Sequence, residues 1–231
     1  MAWTKERGSS LKILEVENFS LSDKEILPPQ SDLCNEIAHT GSLPTARTEI
    51  KYEGGWNGYK KYFVKQYTPT IKETIRVAIE GIKDWEQGYQ RKAEFNIIHD
   101  VKRKLLYIFS SKEHTNYLRR RLTKLPSKVS LKEIEFNFLD MKIPQVHNIW
   151  GVWEEVNLGH IATEGKFGHQ VDKDIHVNLK RASTLHFKLH TDTGKEYDMA
   201  LSKDGRIGSK NKIDKKEMLD LFHRYFYQLI K

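Results

Sequence analysis

The sequence predicts an α+β fold: a mixed N-terminal region (helix, β-hairpin, basic helix, strand) followed by an antiparallel β-meander capped by a C-terminal helix. Short segments in which apolar and polar residues alternate, separated by turn residues, indicate the meander. An apolar stripe at helical spacing indicates the last helix. The content of 38% hydrophobic and 11% aromatic residues is that of a folded globular chain. Because 231 residues suffice for one large domain or two small ones, we expect two regions, residues 1–142 and 143–231.

The N-terminal region is expected to contain a strand at residues 11–16 and a helix between Thr68 and Gly88. Threonine and proline favour a helix N-terminus, and apolar side chains recur at helical spacing after them. Between these elements, residues 51–67 mix glycine, lysine and aromatic residues. The aromatic rings fit either stacking on nucleic-acid bases or a place in the core, and the sequence leaves both interpretations open. These residues are Trp56, Tyr59, Tyr62 and Phe63.

A β-hairpin follows, because apolar residues alternate with polar ones on both sides of the polar loop 99–104. The alternating apolar residues are Phe95, Ile97, Leu106 and Ile108. Residues 110–113 then have the pattern of a capping box, in which a serine hydroxyl accepts from a free helix N–H and Glu113 reaches back. A helix is therefore expected to begin near Lys112 and to end near Leu125, because the next residue is a proline.

The second half is predicted to consist of strands closed by a helix. Residues 134–138 alternate like a strand that ends at Asp140, and the meander is expected at residues 150–156, 175–179, 185–189 and 197–201. Turn residues stand at 192–195 and 204–205. A cap at residues 214–217 opens the last helix, whose apolar stripe is expected to pack on the meander.

Positive charge is concentrated in one segment of the chain. Residues 102–132 hold ten lysines and arginines and one acid, Glu113, whereas the net charge of the whole chain is +8. A concentrated basic patch favours a polyanion, because contacts with phosphates release condensed counterions. Guanidinium groups also bind phosphate oxygens with two hydrogen bonds.

The charge pattern predicts a protein that binds DNA or RNA mainly through the phosphate backbone, without catalytic activity of its own. The expected contacts lie in the hairpin loop and on the outer face of the basic helix, where the alternative is an ordinary solvated surface. They are Lys102, Arg103, Lys104, Arg119, Arg120, Arg121, Lys124 and Lys128. A different class of function also fits the charge, namely a subunit or adaptor that docks an acidic protein.

A third interpretation comes from the sequence Asp140-Met141-Lys142. It resembles the D/E-x-K corner of the PD-(D/E)XK nuclease family. The resemblance implies a magnesium ion held by two carboxylates and a lysine that polarises the attacking water. Asp140 would be one carboxylate, Asp100 or Glu94 the other, and Lys142 the lysine. The family's usual proline is absent before Asp100, and a predicted helix separates the two acids.

Other sites and locations are disfavoured by composition. The chain has no apolar run of membrane-spanning length and no signal-peptide pattern at its start, so we expect a cytoplasmic protein without a membrane partner. Its one cysteine, Cys34, forms no internal disulfide and no multi-cysteine zinc site. His186 and His190 lie about 13 Å apart along one strand, too far to share an ion. We therefore expect no metal or cofactor outside the nuclease interpretation.

Overall fold

The computed structural model describes residues 9–27, 48–69, 90–141, 146–152, 160–167 and 182–231. The helix expected to begin at Thr68 does not begin there, because Thr68 and Pro69 end the strand Tyr59–Pro69 and pair with Arg91 and Gln90. Residues 70–88 of that helix lie outside the described part of the chain, as do the strand expected at 175–179, Cys34 and Lys142. Residues 15–132 form one compact unit, and residues 9–14 with the described residues from 133 onward form another. The boundary expected after residue 142 also falls outside the described residues.

The structure is mostly antiparallel strand with two α-helices in its described part, which is broadly the expected α+β class. The strands are β1 (Ser9–Phe19), β2 (Lys24–Leu27), β3 (Thr48–Trp56), β4 (Tyr59–Pro69), β5 (Gln90–Asp100), β6 (Leu105–Ile108), β7 (Val129–Glu133), β8 (Val146–Val152), β9 (His160–Phe167), β10 (Ala182–His190), β11 (Glu196–Ser202) and β12 (Arg206–Ser209). The α-helices are α1 (Lys112–Leu122) and α2 (Lys215–Leu221).

In the unit of residues 15–132, the strands follow the order β2-β3-β4-β5-β6, and β1 lies beyond β6. β5 and β6 form the expected hairpin, with Asp100 opposite Leu105. The expectation of two half-buried strands is wrong, because every residue of β6 and residues 95–100 of β5 are buried. Ile98, between the expected inward positions, is 4% exposed, and His99, expected in the polar loop 99–104, belongs to β5 and is 7% exposed. The alternating apolar residues therefore occupy one face of the hairpin, and the side chains on its other face are buried as well.

Helix α1 begins where the sequence predicts and ends earlier. Ser111 is the N-cap, and its hydroxyl accepts a hydrogen bond from the N–H of His114. Glu113 is consequently the second helical residue, where a carboxylate favours the helix dipole, and not the third residue that a capping box needs. Beyond Leu122 the backbone forms hydrogen bonds between residues three apart, as in a 3-10 helix. One of them joins the N–H of Leu125 to the carbonyl of Leu122 at 3.0 Å, so the α-helix stops before Leu125.

In the other unit, the strands follow the order β1-β12-β11-β10-β8-β9, with antiparallel neighbours. The expected strands at 185–189 and 197–201 are confirmed as β10 and β11. Asp214 caps α2 by accepting from the N–H of Glu217 at 2.9 Å. The chain continues beyond α2 as a π-helical turn, in which Phe226 packs edge-on against Phe187 of β10 with ring centroids 5.9 Å apart. The expected packing of the last helical segment on the meander is therefore confirmed.

The strand expected at residues 134–138 is wrong. β7 ends at Glu133, Phe136 makes a single bridge with Ile230, and Phe138–Asp140 is a 3-10 helix. Asn137 caps that helix through its side-chain oxygen, which accepts from Leu139 N–H. Asparagine favours such local hydrogen bonds over a strand ladder, and this is the physical reason for the difference.

No helix among the described residues is long and apolar enough to cross a membrane.

Candidate nucleic-acid interface

The turns of two neighbouring hairpins meet at one end of the sheet in the unit of residues 15–132. The N–H of Val101, in the β5–β6 turn, donates to the carbonyl of Gly58, in the β3–β4 turn, at 3.0 Å. The side chain of Lys102 lies along Gly58, since a Cβ placed on that glycine would be 3.2 Å from Cγ and Cε of Lys102. We call residues 56–59 and 101–104 together the hairpin tip.

The β3–β4 turn is tight because of its two central residues. Asn57 and Gly58 have φ values of 45° and 89°, and Trp56 pairs directly with Tyr59. Positive φ at both central residues is what a two-residue turn of the I′ type requires, and Asn-Gly is its strongest sequence signal. The Asn57-Gly58 pair is visible in the sequence, but the turn was not predicted, because only the aromatic rings of residues 51–67 were considered.

The four aromatic residues left open by the sequence divide between core and surface. Tyr62 is 3% exposed and packs edge-on against Phe19, so it belongs to the core. Trp56 is 46% exposed and stacks on Tyr59, with ring centroids 5.5 Å apart and an interplanar angle of 26°. Phe63 is half-buried. The core interpretation therefore applies to Tyr62, whereas Trp56 at the tip is open to solvent.

The exposed Arg103 makes an ion pair with the buried Asp100 across the β5–β6 turn. Asp100 is 1% exposed, and its two carboxylate oxygens accept from the backbone N–H of Arg103 at 3.0 Å and from its guanidinium at 3.1 Å. The hydrogen bond to Asp100 raises the pKa of Arg103. Lys102 and Lys104, on either side, are exposed. All three cations of the turn are thus exposed, and Arg103 is also held in an ion pair with the buried Asp100.

The three consecutive arginines of α1 occupy different environments. Arg120 is exposed and Arg119 half-buried, and Lys124 just beyond the helix is exposed. Arg121 is 1% exposed, so the expectation that it faces a phosphate at the surface is wrong. Its guanidinium donates to the carbonyl of Leu27 at 2.7 Å, and it lies 4.4 Å from the ring centre of Tyr117, whose hydroxyl accepts a second hydrogen bond from it.

Acids from other strands neutralise part of the basic segment. Lys128 donates to both carboxylate oxygens of Glu25 at 3.0 Å, and Lys132 lies 2.5 Å from Glu17. Burial opposes ionisation of Glu25, but hydrogen bonds from Lys128 and Ser22 outweigh it and lower the pKa of this carboxyl. Lys128, expected to contact nucleic acid, is therefore engaged with a carboxylate.

The hairpin tip and the chain after α1 lie along the same strand. Val16 N–H donates to the carbonyl of Lys104, and Ser20 N–H donates to that of Lys128, both at 2.8 Å. Four residues of strand span about 13 Å. The backbones of Lys104 in the tip and of Lys128 after α1 therefore lie about 13 Å apart within one unit.

The described residues do not show the arrangement of carboxylates that the nuclease interpretation requires. Asp140 lies on a 3-10 helix, where its carboxylate accepts from the side-chain amide of Asn137 at 2.6 Å, and not at the end of a strand as the resemblance requires. The carboxylate of Asp100 is engaged in the ion pair with Arg103. No group of three histidines, cysteines or acids among the described residues is arranged to hold a metal ion.

A separate cleft of about 250 Å³ lies beside α2 in the other unit. Two of its charged groups, Lys195 and Glu217, bind each other. Lys195 lies 2.7 Å from Glu217, and Tyr197 donates to the same carboxylate at 2.5 Å. The hydrogen bond from Lys195 lowers the pKa of Glu217, and burial raises that of Tyr197. Another polar group of its lining, the buried hydroxyl of Tyr225, has no hydrogen-bond partner among the described residues.

Comparison with models of known protein families and with curated proteins found no match for this chain.

Proposed function

We propose that the protein binds nucleic acid, DNA or RNA, through the hairpin tip and the exposed face of α1, and that it does so mainly by contacts with the phosphate backbone and without catalysis of its own. The observation that carries this proposal is the β5–β6 turn, which presents Lys102 and Lys104 to solvent and is hydrogen-bonded through Val101 to the turn that follows the exposed Trp56. Cations next to an exposed aromatic ring suit a ligand that has both phosphates and bases.

The fold supports this use of the turn. The ion pair between Asp100 and Arg103 fixes the loop. The hydrogen bond from Val101 to Gly58 joins the loop to the neighbouring hairpin. A cation on a fixed backbone loses less conformational entropy on binding than one on a flexible loop. Exposed Arg120 and Lys124 extend the positive surface of the same unit.

Fluorescence anisotropy tests the proposal. The purified protein is titrated against labelled single-stranded and double-stranded DNA and RNA, from low to physiological salt, with magnesium present. We expect affinity to fall steeply with salt, because counterion release accompanies each phosphate contact. The double variant Lys102→Glu/Lys104→Glu should bind every probe more weakly and with a shallower salt slope, since phosphate contacts position a ligand without reading its sequence.

The control is Lys212→Glu/Lys216→Glu, which changes the net charge equally at exposed positions of the other unit. It should retain most of the affinity. Equal losses in both double variants would mean that overall charge attracts the probe and that the hairpin tip has no special role. No salt-dependent binding at all would refute the proposal and favour an acidic protein partner, and shortening of the probe would show a nuclease activity.

A further inference from the structure

The hairpin tip carries a feature that backbone binding does not use, an exposed apolar surface. Trp56 and Val101 are 46% and 45% exposed, which places them among the most exposed large apolar side chains of the described residues. Val101 adjoins Gly58 through its backbone hydrogen bond, so both side chains belong to the same tip. The tip thus presents two exposed apolar side chains together with the exposed Lys102 and Lys104.

The geometry of Trp56 suits stacking. One side of the indole is supported by Tyr59, with nearly parallel rings 5.5 Å apart, and almost half of the side chain remains open to solvent. The tight Asn57-Gly58 turn fixes the two backbones that carry these rings. A flat ring that is already held in place can accept a nucleobase at little cost in conformational entropy.

We infer that the hairpin tip is a stacking platform for an unpaired nucleobase, so that the protein prefers single-stranded to double-stranded nucleic acid. This inference rests on the proposed function and adds the class of ligand. In a duplex the base faces are covered by their neighbours, and only phosphates and groove edges meet the protein. In a single strand, Trp56 contacts a base face while Lys102 and Lys104 contact the flanking phosphates.

A nucleobase and a lipid surface differ in the shape and the area of the apolar surface that they require. Insertion into a membrane relies on the area of apolar surface buried, and the tip offers two large exposed apolar side chains. Stacking needs one flat face with support behind it, which the Trp56–Tyr59 pair provides. Vesicles of equal parts phosphatidylcholine and phosphatidylserine form the corresponding arm of the experiment.

Three probes with the same number of phosphates test the inference: an oligothymidine strand, an abasic strand of the same length, and a duplex. Wild-type protein should bind the oligothymidine most tightly. Trp56→Leu, which keeps an apolar side chain and removes the ring, should weaken binding to oligothymidine by about 5- to 150-fold. Its affinity for the abasic strand and the duplex should stay unchanged. Trp56→Phe, which keeps a ring, should retain most of the preference.

Each alternative result has a separate meaning. If the wild type binds all three probes alike and Trp56→Leu changes nothing, the stacking inference fails while phosphate binding stands. If none of the probes binds in a salt-dependent way, the proposed function itself fails. Binding of the wild type to the vesicles in preference to oligothymidine, abolished by Trp56→Leu, would overturn the inference in favour of a lipid surface. Thermal melting of the Trp56→Leu variant confirms that it is folded, as the exposure of the side chain leads us to expect.

Discussion

Arg120 and Arg121 are adjacent in sequence and occupy opposite environments. The run of three arginines indicated a phosphate-binding face, but successive residues on a helix point about 100° apart, so one of three neighbours readily faces the core. Arg121 lies inward because its guanidinium reaches the carbonyl of Leu27 and the ring of Tyr117. The sequence alone did not reveal this, since the partner carbonyl comes from a strand far away along the chain.

Replacement of each arginine by alanine should therefore have different effects on stability. Arg121→Ala removes a buried side chain and leaves the Leu27 carbonyl without its hydrogen bond, so we expect a loss of about 2–4 kcal/mol in the free energy of unfolding. Arg120→Ala should change it by less than about 0.5 kcal/mol, because its side chain is exposed. Chemical denaturation measures both values. Equal losses in the two variants would contradict the assignment of Arg121 to the core.

At the scale of elements, local signals located some elements of the described chain and missed others, such as β3 and β4. The cap residues Ser111 and Asp214 begin α1 and α2 as expected, and the period-2 pattern located β10 and β11. The pattern failed at residues 134–138, where apolar alternation continues through a 3-10 helix. It also underestimated the burial of β5 and β6, because alternation cannot show whether a second layer covers the other face.

The hairpin tip permits a test of its turn at this scale. Gly58→Ala places a side chain at φ 89° and within 3.3 Å of Lys102, so we expect a loss of about 1–3 kcal/mol in the free energy of unfolding and a displaced Lys102. Gly194→Ala is the matched control. Gly194 also has a positive φ, of 77°, but no atom lies within 4 Å of the added Cβ.

Both glycine variants should lower the melting temperature through backbone strain, and only Gly58→Ala should also weaken binding to oligothymidine. A Gly58→Ala protein that binds as tightly as the wild type would show that the position of Lys102 against this turn is unimportant for the ligand. Similar losses of binding in both variants would point to general destabilisation.

For the whole molecule, charge counted along the sequence overstates the charge that a ligand meets. The segment 102–132 has nine positive charges in excess, but folding brings Glu17 and Glu25 to two of its lysines and places Asp100 against Arg103. Arg121 is buried. Folding therefore pairs or buries four of the ten cations, Arg103, Arg121, Lys128 and Lys132. The acids that reduce the number lie outside the segment, which is why a local count missed them.

This compensation predicts which lysines determine the salt dependence of binding. Each phosphate contact on duplex DNA contributes about 0.9 to the slope of log affinity against log salt. Lys102→Gln/Lys104→Gln should therefore reduce the slope by about 2, whereas Lys128→Gln/Lys132→Gln should leave it unchanged, because Glu25 and Glu17 already hold those two side chains. Anisotropy titrations at several salt concentrations measure both slopes. If the second variant reduced the slope as much as the first, the ion pairs would have to open on binding, and the interface would extend from the hairpin tip along β1 to the chain that follows α1.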